Sequence, residues 1–232
     1  DLTNTAPMLA LSVRQASGNI SRGLAGRIGI PAWNDAPVRE LAQKTRSPIY
    51  IASPFATKLD DIAEERVIAA PDDIARLGFE VAAAIDPSAP KPPERARSSN
   101  SIAVKIALAL IRAENPVIIT GLQNNDLSLL HAASNINLAL SRIGRKPSLS
   151  IIFPESNSLG LGLMDGKQLE DLVEMTGGSD VETLIILENN LYTRAARQKV
   201  DSILGKFKNI VVLDHIMNET VMKADIVLPS GT

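Results

Sequence analysis

Four short polar stretches interrupt the apolar runs in the second half of this 232-residue chain. They are Thr120-Gly121, Pro154-Glu155-Ser156-Asn157-Ser158, Glu188-Asn189-Asn190 and Asp214-His215, with Asn218-Glu219 just behind the last. Each follows an apolar run that reads as a strand. In open α/β sheets, ligands bind beyond the carboxyl ends of the strands. Carboxylates and amides gathered there would form a polar crevice able to hold a nucleotide or a pterin. The competing reading is that any parallel sheet places polar turn-formers at these ends, and fold alone favours it.

Other chemistry is weaker. Leu159-Gly160-Leu161-Gly162-Leu163-Met164-Asp165-Gly166 has the wrong glycine spacing for a dinucleotide loop. It also does not run from a strand directly into a helix, where the dipole would meet pyrophosphate. No Walker A sequence is present. Asp214-His215 suggests acid–base work, but adjacent residues at a strand end point in different directions. No Ser elbow completes a triad. His131 falls inside a helix, in a packing or solvent role. The pairs Asp60-Asp61 and Glu64-Glu65 read as solvated faces or caps. Trp33, the only tryptophan, is suited either to an interface or to a gap between two lobes.

Composition removes whole classes. The chain has no cysteine, so it offers no disulfide, thiolate zinc site or cysteine-bound iron–sulfur cluster. Aromatics are 3%, too few for base-stacking platforms. A net charge of -2 leaves no electrostatic footprint for nucleic acid. No apolar run approaches the roughly 20 residues of a membrane span. Neither nucleic acid nor direct membrane insertion is expected.

The elements that would position these residues alternate. A Pro/Ser-rich stretch, 86–101, divides the chain into segment 1–85 and segment 102–232. In the first, Thr3, Asn4 or Thr5 would cap a helix carrying Pro7 in its first turn. Gly18, Gly23, Gly26 and Gly29 then suggest an irregular stretch. A helix over 35–45, a buried strand over 48–52, a helical turn over 60–65 and a strand over 66–70 follow. Pro71-Asp72-Asp73 opens a helix to about Ile85, its acids favouring the positive end. In the second segment, helices are expected over 99–113, 126–143, 168–175 and 193–204. Strands are expected over 116–121, 148–153, 182–187, 210–214 and 226–228. Near-continuous apolar strands suit a parallel sheet covered on both faces. The expected fold is α/β: one Rossmann-like, doubly wound, mostly parallel sheet over 102–232, preceded by a smaller partial α/β lobe. The second domain is expected to be truncated at its C-terminus.

Three ordered stretches carry a family resemblance: Phe153-Pro154-Glu155-Ser156-Asn157-Ser158-Leu159-Gly160, Leu184 to Tyr192, and Val211 to Pro229. Together with Asp1 to Thr5, Lys58 to Ala63 and Ala75 to Glu80, they resemble the large peripheral-arm subunit, the G subunit, of bacterial NADH:quinone oxidoreductase, respiratory complex I. The last stretch also resembles the Rossmann-like domain of molybdopterin oxidoreductases, in which Glu-Thr and Ala-Asp-Val-Val-Leu-Pro segments recur.

That resemblance implies a region in which a molybdopterin-enzyme fold has generally lost its pterin. It implies a structural part of the peripheral arm at the cytoplasmic face of the inner membrane, contacting other peripheral-arm subunits. No cofactor is expected in this part. The parent chain is expected to carry iron–sulfur clusters elsewhere, and the parent complex to be the enzyme. Residue by residue, only Asn157 is kept where molybdopterin enzymes often read Gly-Gln-Asn-Asn. Where they have Gly-x-Asn-Pro, this chain has Leu187-Glu188-Asn189-Asn190. Glu188 thus adds negative charge where a phosphate would approach. Asn157, Glu188, Asn189, Asp214 and Glu219 are the candidates for a vestigial crevice, with no catalytic or metal-binding residue expected. The alternative is a fragment of a true molybdopterin enzyme, formate dehydrogenase-like, in which the same five residues hold the guanine dinucleotide end of the cofactor.

Overall fold

The computed structural model of the chain describes residues 2–31, 33–92, 100–122, 127–153, 155, 157–169, 171–172 and 181–231. Two compact units result, Asp1–Leu159 and Gly160–Thr232.

The first unit begins with α1 (Leu2–Thr5) and α2 (Pro7–Ala16). Pro7 opens α2 as expected, but the cap is Ala6, with no side-chain bond. Thr3, Asn4 and Thr5 lie inside α1, so their backbone is already helical and they cannot serve as extended caps. The glycine-punctuated stretch is not irregular. It forms α3 (Asn19–Arg27), with Ser21 and Ala25 fully buried. Ser21 Oγ donates to the Thr45 carbonyl at 2.5 Å, tying α3 to the end of α4 (Asp35–Lys44). Tertiary packing overrides the poor helix propensity of Gly23 and Gly26. The helix stops where Gly29 takes φ 77 and the Ile30 amide donates back to Ala25.

Strands β1 (Tyr50–Ser53) and β2 (Glu65–Ile68) pair in parallel, Tyr50 opposite Glu65. The turn between them is fastened to α2, because Arg14 donates to both oxygens of Asp61 and to the Lys58 carbonyl. Then come α5 (Pro71–Ile85), α6 (Asn100–Arg112), β3 (Val117–Gly121), α7 (Leu127–Arg142) and β4 (Ser148–Ile152). Strands β3 and β4 are parallel, with α7 as the crossover. Helices α5, α6 and α7 enclose Val81, Ala82, Ile85, Ala103, Ala107, Ala139 and Leu140. Small residues let the helices approach closely. A Cβ built on Gly78 of α5 would sit 2.8 Å from the Ala132 Cβ of α7.

The expected boundaries at 85/86 and 101/102 do not coincide with the observed division, which falls inside α8 (Ser158–Leu163). The helices flanking the Pro/Ser-rich stretch share one core, and the stretch is anchored to it where it begins. Ala89 is buried in that core. Asp86 accepts from the Ser88 amide and hydroxyl at 2.9 and 2.7 Å and pairs with Arg142 at 3.4 Å. Residues 93–99 of the stretch lie outside the described residues.

The second unit holds β5 (Thr183–Leu187), α9 (Arg197–Leu204), β6 (Asn209–Asp214) and β7 (Ile226–Pro229). The three strands are parallel in the order β5-β6-β7. Its core is Ile186, Leu191, Val200, Leu204, Ile210, Val212 and Val221. Helix α9 starts at Arg197, later than the expected 193, because a 3₁₀ turn, Leu191–Thr193, comes first. Of the helix expected over 168–175, residues 170 and 173–175 lie outside the described residues, while Asp171 and Leu172 are helical.

The α/β class and parallel pairing stand as expected. Among the described residues, β3 and β4 pair in the first unit and β5, β6 and β7 in the second. The strands are not covered throughout, since β7 is exposed at all four positions and Ile185 and Leu187 are 61% and 65% exposed. The first strand, expected to be buried, is half-buried with Ala52 exposed. Trp33 is 83% exposed.

A polar knot at the strand ends of the second unit

Alternation along β6 buries Ile210, Val212 and Asp214 on one face, so strand periodicity carries Asp214 inward. Its Oδ1 accepts from the Ile216 amide at 3.0 Å, and its Oδ2 from Asn218 Nδ2 at 2.7 Å. The Ile216 N–H, joined by Asn218, holds the Asp214 carboxyl below the ordinary carboxylate range. Asn218 Oδ1 in turn accepts from the Thr220 and Val221 amides at 3.0 and 3.1 Å. This caps the 3₁₀ turn Val221–Lys223.

Thr220 is fully buried. Its hydroxyl donates to Asn190 Oδ1 at 3.1 Å and accepts from the Leu191 amide at 2.9 Å. Asn190 Oδ1 also takes the Tyr192 amide. A continuous polar knot therefore joins the end of β6, the 3₁₀ turn and the loop after β5. Asn190 and Asn218 fell within the polar stretches read from the sequence, but neither they nor Thr220 were among the five candidates. The signal for them was an Asn at the end of β5 and an Asn-x-Thr step before a short turn, the residue types that bond their own backbone.

Glu188, the first residue after β5, stands at φ 44. Its amide donates to the Leu213 carbonyl at 2.7 Å, extending the β5–β6 ladder by one bond. Its side chain is exposed, with Oε1 4.0 Å from His215 Nδ1. His215 Nδ1 is 3.6 Å from Asp214 Oδ1, too long for a hydrogen bond. A left-handed backbone costs a residue with a Cβ about 1–2 kcal/mol. Glycine removes that strain and gives back about 0.5–1 kcal/mol in unfolded-chain entropy. Glu188→Gly is accordingly expected to raise stability by about 0.5–1 kcal/mol. Equilibrium urea unfolding beside Glu188→Ala checks this, and a Gly variant no more stable than the Ala variant counts against strain at this position.

Asn189 Oδ1 accepts from Arg194 Nε at 3.3 Å. Both line a shallow cavity of about 280 Å³ with Lys167, Gln168, Leu169, Leu172 and Leu191. Glu219 pairs with Arg197 at 2.5 Å. The Arg197 guanidinium lies 5.0 Å over the Tyr192 ring. Burial, then the hydrogen bond donated to Asp201, pushes the Tyr192 phenol up to about 12. Four of the five candidates, Glu188, Asn189, Asp214 and Glu219, thus lie in the second unit near the ends of β5 and β6. Asn157 belongs to the first unit, exposed in the turn before α8. Among the described residues, no group of three His, Asp or Glu could hold a metal ion.

A strand–helix–strand unit of parallel pairs, with polar loops at the carboxyl ends, is the local architecture of the cofactor-binding α/β enzymes. The chain belongs to the molybdopterin oxidoreductase family, whose sequence model matches residues 77–232. Its curated relatives are more particular. It is 40% identical over all 232 residues to the NADH-quinone oxidoreductase G subunit of Pseudomonas putida, covering 26% of that protein. It is 37% identical to the corresponding G subunit of Shewanella oneidensis over its whole length, again 26% of the relative. The G subunit of the Escherichia coli K12 oxidoreductase is 32% identical over the whole chain, with 26% of the relative covered. The chain therefore spans about a quarter of the length of the curated relatives it matches.

Proposed function

We propose that this chain is a cofactor-free structural segment of the G subunit of an NADH-quinone oxidoreductase. It would sit in the peripheral arm at the cytoplasmic face of the bacterial inner membrane, against other peripheral-arm subunits. The complex as a whole would pass electrons from NADH to quinone and couple that transfer to ion translocation. Iron–sulfur clusters of the parent chain would be bound elsewhere, because this sequence has no cysteine. Similarity to the Pseudomonas putida relative across all 232 residues supports the assignment.

The polar knot carries the cofactor-free part. Of the polar groups at these strand ends, Asp214, Asn190, Asn218 and Thr220 are turned toward one another and the local backbone. The exposed groups beside them are Glu188, an anion, and His215. Such a set fits a phosphate-bearing pterin poorly, since a carboxylate repels phosphate unless a cation lies between.

One observation favours the second reading, a cofactor-binding segment of a true molybdopterin enzyme. Asn189 borders a cavity whose rim also holds Lys167 and Arg194. Native mass spectrometry with and without added molybdopterin guanine dinucleotide separates the two. The structural reading expects the bare polypeptide mass in both samples. A stoichiometric adduct that disappears in an Asn157→Ala/Asn189→Ala double variant would overturn it.

A further inference from the structure

The turn after α8 contains a step found once in the sequence: Asp165-Gly166 is the only Asp–Gly or Asn–Gly pair. Both residues are exposed. Asp165 stands at φ 54, a strained conformation for a residue with a side chain. Among the described residues the Asp165 carboxylate has no ion pair or hydrogen bond, and the Gly166 amide has no acceptor. A Cβ built on Gly166 would meet Leu161 Cδ1 at 3.6 Å, an ordinary packing distance. The contrast with Asp214 is sharp, for that carboxylate is held on both oxygens, by the Ile216 amide and by Asn218 Nδ2.

We propose that Asp165-Gly166 is a site of spontaneous covalent modification, where the chain closes to a succinimide and reopens in part as an isoaspartyl linkage. The Gly166 amide nitrogen gives its proton to water and attacks Cγ of the protonated Asp165 carboxyl. A C–N bond forms, a C–O bond breaks, and one water leaves. Water then adds to either ring carbonyl. Opening at Cγ restores aspartate, while opening at the main-chain carbonyl routes the backbone through the Asp165 side chain. Net mass is unchanged, and no oxidant or reductant takes part. Glycine places no bulk beside the attacking nitrogen.

The test incubates the whole protein at physiological temperature and pH, labels it with an isoaspartyl methyltransferase and maps the tryptic peptides. Label is expected to accumulate on the peptide spanning residues 146–167, to fall several-fold in Gly166→Ala and to vanish in Asp165→Glu, whose larger ring closes slowly. Deamidation at Asn157 in the same peptide is told apart by its mass change. Label that persists in Asp165→Glu overturns the proposal. So does an unlabelled protein when the free peptide of the same sequence accumulates label, because the folded turn would then be protective.

Discussion

Thr220→Val is expected to destabilise the second unit by about 2–3 kcal/mol, the cost of leaving a buried donor unpaired together with a lost hydrogen bond. The exchange preserves shape while deleting the hydroxyl. Val at this fully buried position cannot accept from the Leu191 amide, which lies in the core beside it. It also leaves Asn190 Oδ1 without the Thr220 donor, although Asn190 keeps the Tyr192 amide. Thr220→Ser keeps both bonds and is expected to recover most of the loss. Hydrogen exchange at the Leu191 amide, read beside urea unfolding, is the measurement. Val equal to the native residue in both would remove the knot as a source of stability.

Gly78→Val is expected to cost about 3 kcal/mol, the upper part of the range for overpacking a well-filled interface. The obstacle is the Cβ of Ala132, 2.8 Å from the position a Cβ would take. A methyl fixed to a helix backbone cannot swing away, so α5 and α7 must separate and loosen the packing around Val81, Ala82, Ala139 and Leu140. Gly78→Ala meets the same atom but gains about 1 kcal/mol of helix propensity, which offsets part of the strain. The expected order of stability is therefore Gly, then Ala, then Val. Circular-dichroism melts of the three proteins check it, and an Ala or Val variant more stable than the native chain would show that the helices part without penalty.

Much of the local structure was legible because local physics decides it. Pro71 followed by Asp72 and Asp73 opens α5, and Gly144 at φ 80 closes the expected helix that became α7. The apolar strands and their parallel pairing were legible too. What failed was decided at a distance. Gly23 and Gly26 argue against a helix until Ser21 reaches Thr45. The Pro/Ser-rich stretch looks like a break between domains until Ala89 and Asp86 are seen bound to the core beyond it.

The candidate site shows the same division. Strand ends could be located from sequence, so Glu188, Asn189, Asp214 and Glu219 were found as polar groups at the ends of β5 and β6. Their directions could not be. Strand parity turns Asp214 inward, Glu219 is engaged by Arg197, and Asn157 belongs to the other unit. The residues that organise the loops, Asn190, Asn218 and Thr220, passed as ordinary turn-formers.

The return from β6 to β7 has a kinetic meaning. Parallel neighbours usually need a dozen or more residues and a full helix to come back alongside. Here residues 215–225 suffice, with one 3₁₀ turn between the strands. Loop-closure entropy grows only with the logarithm of length, and an excursion this brief sacrifices little chain freedom. The pairing of Val211 with Ile226 is then a local encounter, not a long search.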